Sequence, residues 1–114
     1  MTEERSELLQ GTLDLLVLRI LSLEPMHGWG IGERIQLFSG EVFQVNQGSL
    51  YPALQRMRRK GWIRAEWRRT ENNRRARYYA LTPAGGERLA EALTEWRRTS
   101  GAVERILKTA LAGA

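Results

Sequence analysis

The sequence predicts a mainly α-helical chain with one small β-hairpin: three short helices, the hairpin, then a long C-terminal helix. Three observations predict it. Apolar residues recur at helical spacing in three segments before residue 60. The period then shortens to two on either side of the polar stretch Thr70–Arg74. After Thr82-Pro83 a single apolar seam runs through Leu89, Leu93, Trp96, Ser100, Val103 and Leu107, spaced 4-3-4-3-4.

Leu13, Leu16, Val17, Ile20 and Leu21 give the first helix, over about residues 13–23, and residues 3–10 are read as a short extra helix or a frayed arm. Pro25 and the pair Gly28 and Gly30 break the chain. Ile31, Ile35 and Phe38 form the stripe of a second helix, closed by Ser39-Gly40, and Phe43 to Val45 reads as a short strand. The third helix has Ser49 as expected N-cap, Pro52 in its first turn, the stripe Leu50, Leu54 and Met57, and Gly61 at its end. Rotation of about 100° per residue puts Pro52, Gln55, Arg56 and Arg59 on the opposite face, with Tyr51 at its edge. Ile63, Ala65 and Trp67 alternate with Arg64, Glu66 and Arg68 in one strand; Tyr79 and Leu81 share a face of the other. Thr82 and Pro83 suit the N-cap and first residue of the last helix. That helix is expected to reach about Leu111 despite Gly101, a substitution worth roughly 1 kcal/mol against alanine.

Three helices followed by a two-stranded wing make a winged helix-turn-helix. The expected division is residues 1–82 for that unit and 83–114 for the last helix. Its seam is narrow, few other elements remain to cover it, and a second copy of the chain is the natural cover. The expected dimerisation residues are Leu89, Leu93, Trp96, Val103 and Leu107.

Charge sharpens the reading. Residues 1–55 hold three arginines and seven carboxylates, a net of −4. Residues 56–77 hold ten Arg or Lys and two Glu, a net of +8, and residues 78–114 carry +1. The basic excess therefore sits on the third helix and the wing, the footprint of a polyanion-binding surface. In a helix-turn-helix the later helix enters the major groove, where Gln pairs with adenine edges and Arg with guanine. The expected DNA-binding residues are Gln47, Ser49, Tyr51, Gln55, Arg56 and Arg59 on the helix, and Asn72, Asn73, Arg74 and Arg75 on the wing tip. Arg58, Arg59 and Lys60 suit phosphates, whereas Arg64 and Arg68 read as a solvated strand face. The alternative is a winged helix that offers its basic face to an acidic protein.

Other classes find little support. The chain has no cysteine and a single histidine, so no metal cluster is expected. His27 is assigned a structural hydrogen bond after Pro25, and Asp14 a local cap or pair. Trp62 and Trp67 are assigned to core or hairpin packing. No nucleophile–base pair or phosphate loop is evident; neither enzymatic activity nor a cofactor is expected. Acidic residues near the start argue against a signal peptide, and Asp14 and Arg19 interrupt the longest apolar run, so a cytoplasmic protein without membrane contact is expected.

The motifs Leu9-Gln10-Gly11-Thr12-Leu13-Asp14, Pro25-Met26-His27-Gly28-Trp29-Gly30-Ile31, Gln47-Gly48-Ser49-Leu50-Tyr51-Pro52-Ala53-Leu54, Gly61-Trp62-Ile63 and Tyr78-Tyr79-Ala80-Leu81-Thr82 resemble, in order and spacing, the PadR family of transcriptional regulators. The resemblance covers about residues 8 to 107, with Trp29 standing where members often have tyrosine. It implies a winged helix-turn-helix in the compact branch with a single C-terminal helix. It also implies a homodimer built largely by that helix, and repression of transcription relieved by an effector; a twofold dimer in turn calls for an inverted-repeat operator in double-stranded DNA. Trp96, midway along the seam, is the expected contact for a planar aromatic effector, since some relatives hold planar ligands between such helices.

Overall fold

Leu13, Val17, Leu18, Ile20 and Leu21 make one face of the first helix almost wholly apolar, and the rest of the chain wraps around that face. The computed structural model describes residues 10–110. The elements are α1 (Gln10–Leu23), β1 (Met26–His27), α2 (Gly28–Phe38), α3 (Gln47–Arg59), β2 (Ile63–Arg69), β3 (Arg75–Leu81) and α4 (Pro83–Lys108). The expected architecture of helices, wing and long last helix is present. The arm expected at residues 3–10 lies, apart from Gln10, outside the described residues.

The core is one cluster. Leu18 and Val17 of α1, Ile31 of α2, and Leu50, Leu54 and Met57 of α3 are closed off by Ile63 and Tyr79 of the sheet. Phe38, expected in the α2 stripe, is exposed in the last turn, just before the chain reverses through Gly40 and Glu41 in left-handed conformations.

The sheet is antiparallel in the order β1-β3-β2. Its first strand departs from expectation: Met26 and His27 pair with Tyr79 and Tyr78, a two-residue strand too short to show a period. The strand expected at Phe43–Val45 reduces to an isolated bridge at Phe43. The wing itself keeps its expected alternation, with Ile63 opposite Leu81, Ala65 opposite Tyr79 and Trp67 opposite Arg77.

Caps set the helix limits. His27 caps α2, its Nδ1 accepting from the Gly30 amide at 3.0 Å, the structural role expected of it. Asn46, not Ser49, caps α3: its Oδ1 accepts from the Ser49 amide at 2.8 Å, which makes Ser49 the third helical residue. Pro52 accordingly falls beyond the first turn, where it removes one helical hydrogen bond. Gly61 (φ +78°) ends α3, with the Trp62 amide donating to Met57 O and the Gly61 amide to Arg58 O, both at 3.0 Å. Thr82 caps α4 as expected, accepting from the Gly85 amide at 3.0 Å while its hydroxyl donates to Gly61 O at 2.6 Å. One threonine thus ties the end of α3 to the start of α4. α4 stops at Lys108 rather than near Leu111; at 26 residues it is about 39 Å long, and its first half packs on α1. Among the described residues no helix is long and apolar enough to cross a membrane, and no three His, Asp or Glu side chains are grouped to hold a metal ion.

Candidate nucleic-acid interface

The buried stripe of α3 leaves its other face to solvent. Gln47, Ser49, Tyr51, Pro52 and Arg59 are exposed there, and Gln55 is half-buried beside them. Tyr51 is 40% exposed, and its ring lies across the start of α2; a Cβ on Gly28 would stand 2.7 Å from Tyr51 Cε1. The glycine is therefore needed for the tyrosine to lie there. Gln55 presents its Oε1 to Arg58 at 3.1 Å, so its amide is oriented by a basic neighbour.

Arg56 is engaged within the protein. Its two terminal nitrogens each donate to Asp14 of α1, Nη1 to Oδ2 and Nη2 to Oδ1, both at 2.7 Å. The fork that would grip a guanine edge or a phosphate is filled by a carboxylate. The same contact corrects the expectation for Asp14, which pairs not locally but with a residue 42 positions away. The hydrogen bond to Asp14 raises the Arg56 pKa, with desolvation opposing and the charge of Asp14 assisting. The sequence signal was the lone carboxylate on an apolar helix; its partner needed the third dimension.

The wing is the second basic element. Asn72, Asn73, Arg74 and Arg75 are exposed at its tip. Asn73 shapes that tip, with φ +60°, its amide donating to Thr70 O at 2.9 Å and its Oδ1 accepting from Arg69 at 2.8 Å. Trp67 is not core: it is 57% exposed, with Arg75 5.0 Å and Arg77 5.8 Å from its ring centre. Trp62 is half-buried near the start of α4, with Lys60 and Arg88 against its ring.

Tyr79 of β3 is buried, and burial pushes its phenol above the ordinary tyrosine range. Arg77 and Arg58 pull it back and Tyr51 adds to the rise, so all three side chains are within electrostatic reach of that hydroxyl. Sequence reasoning did not single out Arg77 or Tyr79 as site residues. Tyr79 sits at a core position of β3, and Arg77 lies two residues further out on the same face of that strand, opposite Trp67.

The seam of α4 divides in two. Leu89 packs against the chain's own core and Leu93 is half-buried, since α1 lies alongside the first half of the helix. Trp96 (47% exposed), Val103 and Leu107 (72%) are open, and so is Ile106, which the seam spacing skips.

Residues 17–91 match the family described as the transcriptional regulator PadR-like family. The chain is 28% identical to a PadR-like transcriptional regulator from Bacillus cereus, whose crystal structure superposes with a TM-score of 0.79 over 92% of this chain and 100% of that one. A transcriptional regulator from Clostridium thermocellum is 25% identical, with a TM-score of 0.79 over 87% of this chain and 96% of that one. By sequence alone, uncharacterized protein X of Lysinibacillus sphaericus is 26% identical over 91% of this chain and 95% of its own length.

Proposed function

The chain belongs to the PadR-like family of transcriptional regulators, and on that premise we propose that it binds double-stranded DNA as a homodimeric repressor, with α3 in the major groove and the wing against the adjacent backbone. The observation that carries this reading is the pairing of two elements, α3 and the wing strand β2, that pack against each other. The exposed face of α3 offers amide, hydroxyl and guanidinium groups, and the wing beside it is densely basic. Gln47, Tyr51, Gln55 and Arg59 are the helix residues assigned to the groove; Asn72, Arg74 and Arg75 are assigned to the backbone. Residues 1–82 serve as the DNA-binding unit and residues 83–114, which include α4, as the dimerisation segment.

The open apolar stretch of α4, Trp96, Val103, Ile106 and Leu107, supports the dimer, since side chains of that size gain by mutual burial. A twofold pair places two reading helices about 34 Å apart and calls for an inverted-repeat operator. Release by a planar aromatic effector at Trp96 belongs to the same reading. The test is selection of bound fragments from random DNA, followed by titration of the selected duplex across salt concentrations. An inverted repeat and a steep loss of affinity with salt are expected. A flat salt response refutes the DNA reading, and equal affinity for shuffled duplexes without a twofold site favours an acidic protein partner.

A further inference from the structure

The two faces of the wing are electrostatically unlike. On one face Arg68 lies 3.4 Å from Glu66 and over the ring of Tyr78, so its charge is partly met within the hairpin. The other face carries Trp67 and Arg69 on β2 opposite Arg77 and Arg75 on β3. Among the described residues no carboxylate lies within 4.0 Å of Arg75 or Arg77. The Nε of Arg77 is buried without a hydrogen-bond partner. What these two cations do meet is the indole of Trp67, Arg77 as its direct cross-strand partner and Arg75 as its diagonal one. Further in, the same face continues to the buried Tyr79 opposite Ala65. Cations without carboxylate partners therefore line the outer part of this face of the wing.

We infer that Trp67 is a positioning residue for DNA: its ring holds the guanidinium groups of Arg75 and Arg77 as a prearranged pair for the phosphodiester backbone beside α3. The inference rests on the DNA-binding reading given above. A guanidinium stacked on an aromatic face keeps its N–H edge free for phosphate oxygens, and it has already given up much of the rotamer freedom that binding would otherwise remove. A tryptophan left more than half exposed gains little from burial, so the two arginines set against its ring are what distinguish it from packing.

The experiment uses the full chain and a duplex selected from random DNA. Trp67→Leu keeps apolar bulk and removes the π face; it is expected to melt like the native protein yet bind about 3–10-fold more weakly. Trp67→Phe is expected to restore most of the affinity. The pair Arg75→Ala/Arg77→Ala should lower the salt slope by about two. Adding Trp67→Leu to that pair should then cost nothing further. Native affinity in Trp67→Leu overturns the inference, because the ring is then hairpin packing alone. So does an equal loss in the background lacking both arginines, because the indole then touches DNA itself. Absence of salt-dependent binding by the native protein overturns this inference together with the DNA reading, whereas the first two outcomes leave that reading intact.

Discussion

The pair between Asp14 and Arg56 links the reading helix to α1, and α1 supports the first half of α4. Its two bonds are short and charge-assisted, and the side chains are 12% and 23% exposed. Breaking a fully buried pair from one side costs about 3–5 kcal/mol, and an exposed pair contributes about 0–1. The partial exposure here places the cost of losing Arg56 at about 2 kcal/mol, or about 8 °C in melting temperature for a domain of this size. The two sides are unequal. Arg56→Met leaves a carboxylate stranded on an apolar helix. Asp14→Asn leaves a guanidinium on a long stem that reaches water, so it should cost about half as much. The double variant Asp14→Asn/Arg56→Met removes both charges and should recover much of the loss, with a coupling of at least about 1 kcal/mol in a double-mutant cycle. Urea denaturation of the four proteins measures it. Additive single effects would refute the reasoning. So would an Arg56→Met protein of native stability that loses preference at one base pair, since Arg56 would then be a reader.

Other consequences can be measured alongside. Gly28→Ala drives a methyl into the Tyr51 ring; because that ring is partly exposed and can swing away, DNA affinity should fall about tenfold while the melting temperature drops only modestly. Gly85→Ala is the converse: its Cβ would overlap the backbone carbonyl of Trp62, which cannot yield cheaply, so thermal melting should show a loss of about 2–3 kcal/mol with unchanged affinity per folded molecule. Tyr79 has a phenol held above its ordinary value of 10.0, so its contribution to stability is fully present below that pH and is lost as pH rises through the higher folded-state value. Tyr79→Phe should therefore flatten the decline of stability above about pH 10, as read from denaturant midpoints; an unchanged decline would assign it to other groups. Leu107→Lys/Ile106→Lys, on the open end of α4, should yield a folded monomer by sedimentation if the dimer forms there.

The sequence by itself determined the elements and their order. Helical spacing in α1 and α3, period two in β2 and the Thr82-Pro83 start of α4 are local patterns, and local patterns follow from backbone geometry. It also located the basic window, since charge is countable along the chain. Features joining distant residues needed the tertiary structure. The two-residue strand at Met26–His27 exists only because β3 lies beside it. Asn46 takes the cap from Ser49 because the helix start depends on which amide is left free. Arg56 lies on the predicted outer face, but a helix face is a broad sector, and α1 brings a carboxylate to its edge. Leu89 and Leu107 share one seam in the sequence; only the course of α1 makes the first part of the chain's own core and leaves the other open. Periodicity states which residues point the same way, and packing decides what they meet.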